Sequence, residues 1–314
     1  MIRKLVRSVF MMIVLASCET QAPPKVDIAT TPTSSGVPTA SIIKRDTALG
    51  EVIGYRAGDD TSVTVLLASF AESPLPDTLL DASAANGVKV DLFGPKGFVA
   101  SAVIRGAGKA ATTEGCFELP RGRISPGRGE WEVALSSGRA TGLPLVSLSE
   151  LQEKDSLELT EELFRLAATA PGAQDSTWRD QKWTVERAVR FTLGDAVVVA
   201  GSTLRMIPGP DHFSETTFVV GERAVSSDSL ADKKPFVLAY SHRTAAFGRT
   251  DEGESGLAFE DEAGVDALVI TKSNARPTLL LETRGNETNG FAALGRVAPG
   301  QWRIIWNGGS EGGC

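Results

Sequence analysis

Apolar residues recur with a period of two along most of this 314-residue chain, and that pattern confines it to half-buried β-strands. In Ser62-Val63-Thr64-Val65-Leu66-Leu67, the residues Val63, Val65 and Leu67 share one face, because successive side chains on a strand point to opposite sides. Val88, Val90 and Leu92 alternate in the same way. Gly94-Pro95-Lys96-Gly97 then supplies a turn and Phe98 to Ile104 returns, so 88–104 reads as a hairpin. Trp131, Val133 and Leu135 alternate after a Pro126-Gly127 turn. Beyond residue 181 come Val189, Phe191 and Leu193, then Ala196 to Val199, Phe218 to Val220 and Phe236 to Tyr240. The end reads as a four-stranded meander: Leu268 to Ile270, Thr278 to Leu281, Phe291 to Leu294 and Trp302 to Trp306, separated by short turns.

One stretch departs from the period of two. Leu159, Leu163, Leu166, Ala167 and Ala170 fall on a single stripe of a helix, with Glu158, Glu161, Glu162 and Arg165 on its wet side. Ser147 and Glu150 have capping-box spacing, and Pro171-Gly172 stops the helix. The expected fold is therefore mainly β: antiparallel sheets or meanders in two β-rich regions, 47–146 and 181–314, joined by a helical connector over 147–180. The pattern allows the two regions either separate cores or a shared one.

The N-terminus is of another kind. Arg3, Lys4 and Arg7 precede an apolar run, Val9 to Leu15, which is followed by Ala16-Ser17-Cys18. Basic, apolar and small regions in that order make a secretory leader, and the run falls short of the about 20 residues that span a bilayer. Leu15-Ala16-Ser17-Cys18 resembles the lipobox of bacterial lipoproteins. That resemblance covers the first ~20 residues. It implies removal of residues 1–17 and acylation of Cys18, so that membrane lipid is the first partner. It also implies sorting to the outer membrane, facing the periplasm, because Glu19 rather than an aspartate follows the cysteine. Several acyl chains on one residue anchor stably where one chain is marginal. Residues 18–46 carry Pro23-Pro24 and the Thr/Ser/Pro-rich tract 30–39, a composition that buries too little apolar surface to fold. They read as a disordered tether; the same composition also suits a glycosylated tract.

Charge narrows the partners. The chain has 32 basic and 39 acidic residues, and losing Arg3, Lys4 and Arg7 with the leader leaves 29 against 39. That is the wrong sign for nucleic acid. Two cysteines remain, Cys116 and Cys314. In an oxidising compartment such a pair reads as a disulfide, closing a loop of about 200 residues worth about 5 kcal/mol on the chain-entropy account. The run Gly308 to Gly313 before Cys314 reads as a flexible tail held by that staple.

No constellation of catalytic residues stands out. Gly308-Gly309-Ser310-Glu311-Gly312 matches G-x-S-x-G, but no histidine follows Ser310 and no helix can complete the elbow. His212 and His242 lack metal-ligand spacing. The acidic stretch Asp251, Glu252, Glu254, Glu260, Asp261, Glu262 and Asp266 lacks the ligand order of a calcium loop and reads as a solvated loop, with a weak cation site as the alternative. Gly106-Ala107-Gly108-Lys109 lacks the spacing of a phosphate-binding loop. Trp178 and Trp183 offer a carbohydrate platform or, more simply, core. No cofactor and no metal are expected. The reading is a lipid-anchored, non-enzymatic binding or structural module of the cell envelope. Its alternatives are a periplasmic hydrolase whose residues converge only in three dimensions, and an assembly factor presenting a sheet edge to partner proteins.

Overall fold

The structure, a computed structural model, describes residues 47–67, 81–113, 116–127, 129–173, 178, 180–207, 211–225, 234–249, 262–284 and 288–312. In chain order the strands are β1 (Val52–Arg56), β2 (Ser62–Leu67), β3 (Lys89–Gly94), β4 (Gly97–Arg105), β5 (Ala111–Thr113), β6 (Cys116–Glu118), β7 (Arg121–Ser125), β8 (Val133–Ser136), β9 (Ala140–Leu143) and β10 (Val146–Ser147). One helix follows, α1 (Glu153–Thr169). Then come β11 (Thr184–Thr192), β12 (Ala196–Ile207), β13 (Asp211–Ala224), β14 (Val237–Arg249), β15 (Glu262–Thr271), β16 (Pro277–Arg284), β17 (Thr288–Ala298) and β18 (Gln301–Gly312). The fold is mainly β and every strand pair is antiparallel, as the alternation predicts.

Six strands close a small barrel in the order β1-β2-β7-β4-β3-β8. Its interior is filled by Val63, Val65, Val90, Leu92, Ile104 and Ile124, with Trp131 fully buried among them. The expected hairpin is β3–β4, with Gly94 opposite Gly97 across the Pro95-Lys96 turn. Five strands form a sheet in the order β10-β11-β12-β13-β14, and seven form another in the order β5-β6-β18-β17-β16-β15-β9. The two sheets pack face to face through Phe191, Val198, Phe218, Leu268, Leu279, Leu294 and Trp302. α1 covers the other face of the five-stranded sheet, burying Leu159, Leu163, Leu166 and Ala167 against Val199, Val219 and Phe236. Each such leucine contributes about 1.5–3 kcal/mol of burial. The capping box lies a turn ahead of α1: the Ser147 N–H donates to the Glu150 carboxylate at 2.9 Å, closing the 3-10 turn Leu148–Glu150.

The two β-rich regions are interleaved. β5 and β6 leave the barrel between β4 and β7 to extend the seven-stranded sheet beside β18, and β9 pairs with β15 at its other edge. The outer faces of β1, β2, β3 and β8 carry Ile53, Tyr55, Leu66, Phe93, Val133 and Leu135, which share one core with Val269, Leu280, Phe291 and Trp306 of that sheet. The molecule is thus layered as barrel, seven-stranded sheet, five-stranded sheet and helix.

The meander appears as β15 to β18, but its last strand is longer than expected. The glycine run read as a flexible tail belongs to β18 as far as Gly312, paired with β17. The glycines are there for space: a Cβ on Gly308 would lie 2.2 Å from the Trp306 ring, which folds over that position.

Candidate functional site

The barrel and the seven-stranded sheet meet in a cleft of about 710 Å³. From the barrel come Arg56 at the end of β1, Ser62 and Thr64 on β2, and Arg121 and Arg123 on β7. The sheet contributes Glu282 and Arg284 from β16, Asn289 and Phe291 from β17, and Glu311 from β18. Period-two geometry sets this composition: Arg121 and Arg123 flank the buried Gly122 and point the same way, as do Glu282 and Arg284. Four guanidiniums therefore face two carboxylates, in a chain whose overall balance is acidic.

The arginines are positioned by their neighbours. Arg121 donates to Glu311 at 2.9 Å and to Thr64 at 2.6 Å. Arg284 grips Glu282 through Nε and Nη2 at 3.0 and 2.7 Å. Arg56 donates to Glu132 at 2.9 Å. A guanidinium has five N–H donors, so each of these keeps donors for a further acceptor. Glu311 is nearly buried and also accepts from the Leu119 N–H at 3.3 Å; burial pushes its carboxyl above the ordinary range.

Behind the cleft lies a second set of carboxyls. Asp266 occupies a bulge in β15, between the paired residues Val265 and Ala267, and such a bulge re-aims a side chain. It is 7 % exposed, and its Oδ2 has no hydrogen-bond partner. Burial, reinforced by the charges of Glu282 and Glu132, pushes its carboxyl well above the ordinary range. Burial raises Glu132 as well, against the opposing pull of Arg56. Arg187 reaches this group from β11 by passing over Gly264, where a Cβ would lie 2.5 Å from its Nη1. Tyr55 sits beside them, its hydroxyl donating to the Ala292 carbonyl at 3.2 Å and its ring 4.5 Å from that of Phe291.

Two charged residues singled out from sequence are found here, Glu311 in the cleft and Asp266 behind it, buried on β15 rather than on a solvated loop; the other candidate side chains lie elsewhere. Cys18, Cys314 and acidic residues 251–261 fall outside the described residues. Cys116 begins β6, and the described end of β18, Gly312, pairs with its neighbour Phe117. Ser310 is exposed on β18, opposite Gly290; it sits in a strand, without the turn a nucleophile elbow needs. His212 pairs through its backbone with Gly248, and His242 is exposed on β14. Lys109 lies 3.8 Å from Asp81. Among the described residues, no group of three His, Cys, Asp or Glu side chains is arranged to hold a metal ion. No described helix is long and apolar enough to cross a membrane.

Trp178 and Trp183 are not a sugar platform. The Arg205 guanidinium lies 5.4 Å from one ring and 4.3 Å from the other, so their faces are spent on a cation. Arg205 also donates to Glu215 at 2.8 Å and to the Trp178 and Ala173 carbonyls at 3.2 and 3.0 Å. Arg243 completes the group from the far side of Glu215.

The cleft escaped the sequence reading because its arginines lie far apart in the chain. A local signal existed: like-facing charges at i and i+2, Arg121 with Arg123 and Glu282 with Arg284, on strands whose other residues are apolar or small. Compared with known proteins, the chain matches no family model, no curated protein and no solved structure.

Proposed function

We propose that this protein is a lipid-anchored binding module of the cell envelope, acylated at Cys18 and facing the periplasm from the outer membrane, and that the barrel–sheet cleft takes a hydrophilic anionic ligand. The observation that carries the reading is the concentration of four guanidiniums in one polar cleft of an acidic chain. Guanidiniums match carboxylate and phosphate oxygens two at a time. The cleft has a size usual for a ligand site, about 300–1,000 Å³, and among the described residues Phe291 is its only large apolar wall residue. Arg123 has no ion pair among the described residues and stands exposed at the rim, placed to meet an incoming charge.

The test is calorimetric titration of the whole chain with pyrophosphate and with citrate. At least one should bind, more weakly as salt rises, and Arg123→Ser with Arg284→Gln should cost tenfold or more in affinity. Absence of binding by both anions, or equal binding by the double variant, overturns the cleft assignment. For the anchor, Cys18→Ser should abolish incorporation of labelled palmitate and release the protein from membranes; unchanged labelling overturns that part.

A hydrolytic reading draws on Glu132, Asp266 and Glu282. It is the weaker one, because Glu132 and Asp266 do not line the cleft and Glu282 is gripped by Arg284.

A further inference from the structure

Among the described residues, three carboxyls and three guanidiniums meet at the back of the barrel–sheet cleft. The carboxyls are Glu132 just ahead of β8, Glu282 on β16 and Asp266 on β15; the guanidiniums are Arg56 on β1, Arg284 on β16 and Arg187 on β11. Glu132 is held by Arg56 at 2.9 Å and Glu282 by Arg284 at 2.7 Å. Asp266 differs from both, being nearly buried with its Oδ2 accepting no hydrogen bond. The strand register explains how it comes to sit there. Gly264 stands opposite Glu282 and Ala267 opposite Leu280, on the face turned to the barrel, and the bulge inserts Asp266 between these pairs. Gly264 leaves the space through which Arg187 enters. Tyr55 stands beside the group, but its hydroxyl proton is given to the Ala292 carbonyl.

The charge of this group depends on one proton. With Asp266 neutral, three guanidiniums face two carboxylates, and the surplus positive charge lies behind the cleft that Arg56 and Arg284 line. With Asp266 ionised, the count is three against three. We infer that Asp266 is a proton switch for the cleft: its neutral form leaves the charge of Arg56 and Arg284 to an anionic ligand, its ionised form neutralises that charge, and anion binding is therefore coupled to uptake of one proton. This rests on the anion reading of the cleft and adds its regulation. An anion in the cleft supplies the third negative charge and so favours neutral Asp266; reciprocally, neutral Asp266 favours the anion. Affinity is thus highest below the pH at which Asp266 titrates and falls as pH rises through it. Burial and the charges of Glu282 and Glu132 put that pH well above the ordinary carboxyl range. Glu132 and Glu311 are also raised by burial and act with the same sign. Arg121 and Arg123 stand on the barrel side of the cleft, so ionisation of Asp266 weakens binding without abolishing it.

The experiment titrates the full chain and its Asp266→Asn variant with pyrophosphate and with citrate over a series of pH values, while carbon NMR follows the Asp266 side-chain carboxyl of the native protein. Each ligand's own titration is common to both proteins and drops out of the ratio of their affinities. Above the Asp266 midpoint the native protein should bind about fivefold or more weakly than the variant, the lower end of usual couplings between sites; below it the two should bind alike. Saturating anion should raise the midpoint. A buried acid with a purely structural role would make stability depend on pH but would leave its midpoint unmoved by ligand. An affinity ratio constant across the midpoint, a midpoint that anion does not shift, or a carboxyl that does not titrate in the folded protein overturns the switch and leaves the cleft reading standing. Binding of neither anion at any pH overturns both.

Discussion

Asp266 concentrates the unfavourable electrostatics of the fold in one residue. A carboxyl raised by burial and by neighbouring carboxylates binds its proton more tightly in the folded state than in the unfolded one. Its favourable contribution is therefore full below the ordinary carboxyl range and is lost as pH rises through the raised value. Glu132 and Glu311 have the same sign. Asp266→Asn removes the titration, so the melting temperature of the native protein should fall relative to the variant as pH rises above the ordinary carboxyl range; parallel melting curves would contradict this. Glu215 is held by partners instead. It is fully buried, but two arginines hold it, one of them 4 % exposed. Glu215→Gln strips the compensation from Arg205 and Arg243 and should cost about 3–5 kcal/mol in urea unfolding, with loss of fluorescence from a structured Trp178–Trp183 environment.

At the scale of elements, the helix follows the sequence closely. Leu159, Leu163, Leu166, Ala167 and Ala170 are all buried, as one stripe demands. Leu163→Ala should destabilise by about 2–5 kcal/mol, a cavity that the rigid sheet below cannot close. The last strand departs from expectation for a physical reason. Six glycines among residues 294–313 lower β-propensity, but local preference is outweighed where β17 offers a partner ladder and Trp306 needs an open surface to lie on. Gly308→Val should therefore destabilise by about 1–3 kcal/mol, as overpacking does, whereas a residue in a free tail would tolerate it; denaturant midpoints separate the two outcomes.

For the whole molecule, the shared core between barrel and sheet sets the behaviour. Tyr55, Phe93 and Leu135 on one side and Leu280, Phe291 and Trp306 on the other have no separate burial, so barrel and sandwich should melt in one calorimetric transition. Two resolved transitions would show the layers to be independent. The bridge expected between Cys116 and Cys314 is a proposal that belongs to this scale too. β18 runs up to Gly312 opposite Phe117, one residue from Cys116, and the oxidised chain should gain two mass units on reduction and then two alkyl groups. Two thiols reactive in the native, unreduced protein would exclude the bridge.

The sequence alone determined the alternation that makes strands, the one apolar stripe that makes a helix, and the turns that order the terminal meander, because these are local properties of a chain with one face toward water. It also carries the lipobox resemblance, read from adjacent residues. Only the tertiary structure decided that β5, β6 and β9 leave the barrel to build the sheet, that Trp178 and Trp183 enclose an arginine, and that Arg56, Arg121, Arg123 and Arg284 share a cleft. Each of these depends on which strands pair across long stretches of chain. A period of two says which residues face the same side of a strand and nothing about which strand lies beside it.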